Sequence, residues 1–108
     1  MTTLSEQDFR LEADRALEQA QRALLPLADE EGFEVELQNG VLQVVFDAPT
    51  PAKFVVSPNA PVRQVWVSAM SRSYKLSWTS EASTFVLDGE TLNVLLERLA
   101  RTQVGATP

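Results

Sequence analysis

Apolar residues recur at helical spacing near the start of the chain, where Phe9, Ala13, Leu17, Ala20 and Leu24 share one face. Ser5 stands three residues before Asp8, the pattern of a capped helix start. Pro26 predicts a stop at about Leu25, because the residue before a proline avoids the α region. Asp29 to Gly32 then reads as an acidic connector.

After Gly32 the apolar period changes from helical to alternating. Phe33–Gln38 and Val41–Asp47 flank Asn39-Gly40, a dipeptide that favours a two-residue type I′ hairpin. Such a turn sets the register: Leu37 opposes Leu42, Val35 opposes Val44 and Phe33 opposes Phe46, all on one face. Glu34, Glu36 and Gln38 fall on the other. Further strands are expected at Lys53–Ser57, at Arg63–Ala69 and through Tyr74, Leu76 and Trp78. Pro58-Asn59-Ala60-Pro61 and Ser71–Ser73 supply turns between them. In the Arg63–Ala69 run Val65, Val67 and Ala69 take one face, and Gln64, Trp66 and Ser68 the other. A short sixth run, Thr84–Val86, leads to Asp88-Gly89, read as the cap of a final helix with Leu92, Leu95, Leu96 and Leu99 on one face. Thr102–Pro108 reads as a loose tail.

A helix, five or six strands joined by short turns, and a second helix predict an α+β two-layer sandwich. Both helices would pack on one face of a mostly antiparallel sheet. Residues 1–108 form a single domain in this reading, long enough for one core. The other sheet face then meets water and carries Glu34, Glu36, Gln64, Trp66 and Lys75.

Composition narrows the chemistry by what is missing. With no cysteine there is no disulfide, thiolate nucleophile or cluster ligation, and with no histidine the usual general base and the commonest transition-metal ligand are gone. An enzyme with a nucleophile of its own is therefore not expected. Any metal held by this chain sits on oxygen, which means weak binding and poor discrimination among divalent ions. Charge is uneven: residues 1–47 hold eleven acids against three arginines, a net of −8, whereas residues 48–108 carry +2. That balance speaks against nucleic acid and for a cation or a basic protein surface. No apolar run spans a bilayer, and the first residues show neither a signal nor a transit pattern, so a cytoplasmic protein is expected.

Two clusters stand out. Asp29, Glu30 and Glu31 precede Glu34 and Glu36, which project from the same strand face. Crowded carboxylates repel one another and a cation relieves that repulsion, but the same residues serve equally as a solvated face that keeps the protein in solution. Trp66, in phase with Gln64 and Ser68, is placed as an exposed anchor for a partner, or else as a ring lying on Val41, Val45 or Tyr74.

The order and spacing of several segments resemble the frataxin family from Phe9 to about Leu99. The resemblance is most specific across Phe54-Val55-Val56-Ser57-Pro58-Asn59-Ala60-Pro61-Val62-Arg63-Gln64-Val65-Trp66-Val67-Ser68. Gly40-Val41-Leu42-Gln43-Val44, Phe9 with Ala13-Asp14, and Asp88-Gly89 with Leu92, Leu95 and Leu96 match other parts of the pattern. The resemblance implies weak, surface-bound iron (Fe²⁺ or Fe³⁺) on Asp29, Glu30, Glu31, Glu34 and Glu36. It also implies contact with a cysteine desulfurase and its iron–sulfur scaffold protein through Asn59, Gln64, Trp66 and Lys75. A bacterial protein is implied, expected as a monomer, with an iron-driven oligomer as the alternative. The sequence departs from the family where the first helix usually ends in carboxylates, since Gln21-Arg22-Ala23-Leu24-Leu25-Pro26 stands there. That departure keeps a rival reading open, an acidic adaptor that binds proteins without metal. A small acidic secretion-type chaperone is a more distant rival.

Overall fold

Ser5 caps the first helix as expected: its Oγ accepts a hydrogen bond from the Asp8 backbone N–H at 3.1 Å. The computed structural model describes residues 4–48 and 50–105. Its first helix, α1, spans Glu6–Glu31, so Pro26 does not end it. Leu27 and Ala28 continue the face begun by Leu24 and are buried with it. Burying a leucine is worth about 1.5–3 kcal/mol, enough to offset much of the ~3 kcal/mol that an interior proline costs. Pro26 itself faces solvent. The helix stops instead at Gly32, whose φ of 82° is the left-handed cap that glycine supplies most readily. Asp29, Glu30 and Glu31 thus belong to the last helical turn and not to a connector.

Among the described residues seven strands follow: β1 (Glu34–Gln38), β2 (Val41–Phe46), β3 (Ala52–Asn59), β4 (Gln64–Ala69), β5 (Arg72–Thr79), β6 (Thr84–Leu87) and β7 (Glu90–Thr91). They form one antiparallel sheet in chain order. The first hairpin has the register read from the sequence, with Leu37 opposite Leu42 and Val35 opposite Val44. Asn39 and Gly40 both take positive φ, 53° and 75°, as a type I′ turn requires. Phe33 lies just before β1, yet its ring meets Phe46 at 4.8 Å.

Other boundaries differ from the expected ones. β3 runs through Pro58 to Asn59, and the turn after it is a short 3₁₀ segment, Ala60–Val62. Arg63 follows at φ 54° and donates to the backbone carbonyls of Leu4 and Ala60, tying the start of the chain to this turn. The β4–β5 turn falls on Met70 and Ser71, both at positive φ, and so shares only Ser71 with the expected Ser71–Ser73. Asp88-Gly89 is the turn between β6 and β7 and not a helix cap, which accounts for the additional strand. Thr91 caps the second helix, α2 (Leu92–Gln103), accepting from the Val94 N–H at 3.4 Å. Residues 102 and 103 close α2, so the tail is shorter than expected, and 106–108 lie outside the described residues.

Both helices cover one side of the sheet. Leu42, Val44, Phe54, Val56, Val65, Val67, Leu76 and Phe85 point into the layer between, where they meet Phe9, Leu17 and Leu24 of α1 and Leu92, Leu95, Leu96 and Leu99 of α2. Phe9 and Phe85 are fully enclosed and meet edge to face at 5.6 Å. No polar or charged residue is buried among the described ones.

At the far end, Arg98 grips both carboxylate oxygens of Glu90 at 2.8 and 2.9 Å and ties β7 to α2. This hydrogen bond holds the Glu90 carboxyl below its ordinary 4.5. A lowered carboxylate stabilises the fold fully above its ordinary pKa, and loses that effect as pH falls through the lowered value. Glu90→Gln is expected to cost at most about 1 kcal/mol at neutral pH and to flatten the acid limb of the urea midpoint plotted against pH. An acid limb identical to the parent's would show that the pair contributes nothing.

Candidate functional site

The side of the sheet that no helix covers is built by the alternation of the strands. Register places Trp66 between Ser57 on β3 and Lys75 on β5, and Gln64 between Asn59 and Ser77. Asn59, Gln64, Trp66 and Lys75 are therefore neighbours on one surface. The Trp66 indole is half-buried, and its N–H donates to the Gln64 side-chain oxygen at 3.0 Å. The Gln64 amide nitrogen reaches Ser77 Oγ at 3.4 Å. Lys75 Nζ lies 4.9 Å from the Trp66 ring centroid, a cation–π distance.

Ser57, Val55, Ser68 and Ser73 complete a shallow depression of about 330 Å³ beside Trp66. Ser68 already follows from the phase of β4, whereas sequence reasoning passed over the other three. They become legible only once β3 and β5 are paired onto β4, which brings small side chains next to the large ring. Tyr74, considered as a support for Trp66, pairs with Val67 and so lies on the helix side of the sheet. The indole is left with one polar partner, one cation and an open rim of small residues.

The acidic group is arranged otherwise. Asp29, Glu30 and Glu31 sit in the last turn of α1, Glu34 and Glu36 on β1, and all five are exposed. They do not converge. Glu30 lines a cleft toward α2 with Ala23, Pro26, Leu27, Glu97 and Arg101. Glu36 borders a depression on the open sheet with Gln38, Asn39, Val41 and Gln43. Among the described residues no three carboxylates come close enough to share one ion. A divalent cation would be held by one or two of them and by water, a weak site.

Electrostatics at this corner are unfavourable to the fold. The last turn of α1 contains three acids and no basic residue, so negative charge meets the negative end of the helix dipole. Glu31→Gln is expected to raise stability by about 0.3–1 kcal/mol, read as a higher urea midpoint. A lower midpoint would reveal a favourable contact of Glu31 and contradict this account. A further acid, Asp14, lies across from the first hairpin: its Oδ1 is 3.9 Å from where a Cβ on Gly40 would stand.

A family model described as a frataxin-like domain matches residues 2–106. The chain is 32% identical over 90 residues to the iron–sulfur cluster assembly protein CyaY of Ectopseudomonas mendocina, covering 80% of each chain. It is 34% identical over 82 residues to the protein of the same name from Pseudomonas syringae pv. tomato, covering 72% of this chain and 73% of that one. Among solved structures, frataxin from Psychromonas ingrahamii superposes with a TM-score of 0.70 over 93% of this chain and 91% of that one, at 14% identity.

Proposed function

Because this chain belongs to the frataxin-like family, we propose that it serves iron–sulfur cluster assembly by presenting two surfaces to the machinery, without chemistry of its own. The observation that carries this reading is the surface around Trp66. A half-buried indole with a satisfied N–H, a cation over its ring and small residues at its rim has the composition of an interface centre. Asn59, Gln64, Trp66 and Lys75 contact the assembly of cysteine desulfurase and scaffold protein. Nothing in the site needs a nucleophile or a general base. Among the described residues no helix is long and apolar enough to cross a membrane.

The second surface is the acidic corner, Asp29, Glu30, Glu31, Glu34 and Glu36. It takes up Fe²⁺ as cargo or docks on a basic part of the desulfurase. Exposure of all five carboxylates supports both uses, since each keeps its water until a cation or a cationic side chain replaces it. Their divergence favours the docking use, because scattered single charges suit a protein surface better than one ion.

The test is an anaerobic Fe²⁺ titration followed by amide NMR of the labelled protein. Broadening confined to residues 29–36 is the expected result if iron is cargo. Diffuse or absent broadening removes iron from the proposal and leaves a metal-independent adaptor, whose binding to the desulfurase then falls with added salt.

A further inference from the structure

β1 is an edge of the sheet, paired to β2 on one side only. A two-residue hairpin makes Gln38 and Val41, which flank the turn, exchange both backbone hydrogen bonds, and the pattern then alternates along the ladder. Glu34, Glu36 and Gln38 thus direct their backbone groups at β2. Val35 and Leu37 direct theirs outward. Neither makes a backbone bond to a loop or helix among the described residues, whereas Phe33 N–H is already taken by the Ala28 carbonyl. The ladder runs through five consecutive pairs with no bulge, and β1 has no proline. The opposite edge, β7, has only two residues and passes straight into α2. Among the described residues one long, regular edge is left open.

Side chains beside that edge say what it would accept. On the open face Glu34 and Glu36 stand two residues apart, exposed, and neither forms an ion pair among the described residues. On the helix face Val35 and Leu37 are half-buried. Leu25 is 42% exposed. It lies three helical turns beyond Asp14, on the same flank of α1, and Asp14 overlooks the β1–β2 turn. The edge therefore offers main-chain donors and acceptors, carboxylates on one side and uncovered apolar surface on the other.

We infer that β1 takes up an extended basic segment of a partner protein as an eighth strand, with alternate Lys or Arg side chains over Glu34 and Glu36 and apolar ones beside Val35, Leu37 and Leu25. The carboxylates are not the site; the open main chain is, and the carboxylates choose its occupant. A second copy of this chain fits less well, because antiparallel β1–β1 pairing brings acids against acids. The inference rests on the reading of the acidic corner as a docking surface and adds the geometry of the contact.

The probe is a blocked six-residue peptide of alternating lysine and valine, added to the labelled protein. Amide exchange of Val35 and Leu37 is expected to slow at least tenfold, with cross-strand contacts between the peptide and β1. A peptide methylated on the backbone nitrogens that face β1 should bind at least tenfold more weakly, and one with glutamate in place of lysine should not bind. Val35→Pro removes an outward donor without removing a bond to β2, so it should abolish the protection while Val35→Ala retains it. Binding that shifts Glu34 and Glu36 but leaves the Val35 and Leu37 amides exchanging freely would overturn strand addition and leave charge docking standing. Equal binding of the methylated peptide, or no binding at millimolar peptide, would overturn it too. Protection that grows with protein concentration alone would assign the edge to a second copy. Docking itself fails separately, if Glu34→Gln with Glu36→Gln leaves desulfurase affinity unchanged.

Discussion

Phe46→Ala is expected to destabilise the protein by about 3–5 kcal/mol, the cost of removing a buried aromatic ring and leaving a cavity. Phe46 is 1% exposed and sits between two other rings, 4.8 Å from Phe33 and 4.8 Å from Phe54. Its loss strips contacts from both at once. A domain of this size has about 5–15 kcal/mol in total, so the variant gives up a large share of it. In thermal terms the loss corresponds to a melting temperature lower by roughly 15 °C or more. Urea unfolding followed by tryptophan fluorescence and far-ultraviolet circular dichroism measures it. A loss under about 1 kcal/mol would mean that the three rings repack around the gap and do not anchor this end of the core. Phe33 follows Gly32 directly, so the same substitution loosens the support beneath the acidic corner.

Trp66→Ala is the corresponding test on the surface. Interface anchors of this kind typically cost 2 kcal/mol or more when truncated, so affinity for the desulfurase–scaffold assembly should fall at least tenfold. The fold should survive, because the indole lies outside the helix–sheet core. Lys75→Ala should have a smaller effect, since it removes one cation at a partly solvated ring. Titration calorimetry against the assembled partners decides the matter. An affinity within twofold of the parent, with the circular dichroism unchanged, would take Trp66 out of the interface and reduce the open face to a solvated surface.

How much of this was legible beforehand depends on how local the deciding physics is. Asn39-Gly40 announces its turn and, through the turn, the facing of ten residues, because backbone conformation and register are coupled there. The leucines of α2 need only their spacing. Pro26 misled because a local preference was weighed without the burial of Leu27 and Ala28, which depends on a sheet that does not exist until the chain folds. Asp88-Gly89 carries two signals, a helix cap and a hairpin, and only pairing with β6 chooses between them. Ser71 belongs to the expected turn, but Met70 gives no turn signal of its own, and the pairing of Ala69 with Arg72 draws the turn back toward it. At the candidate site, phase along β4 was enough to bring out Trp66. The dispersal of Asp29, Glu30, Glu31, Glu34 and Glu36 was not readable, because it follows from the helix running on past Pro26 and turning Glu30 toward α2.

The sheet runs in chain order, so each strand finds its partner next to itself in the sequence. Local pairing carries little loop-closure penalty and favours rapid folding, whereas bringing α1 beside α2 must join distant parts of the chain. The rate-limiting step is then expected to be the docking of α1, with a strand meander already formed beneath it. Substitutions at Phe9 and Leu24 would slow folding, and substitutions confined to the outer face of β5 would mainly hasten unfolding. The reverse partition, measured by stopped-flow kinetics, would refute this order. If it holds, Glu34 and Glu36 are in place with the meander, Asp29, Glu30 and Glu31 join them only when the final turn of α1 docks, and the open sheet is complete before the acidic corner is.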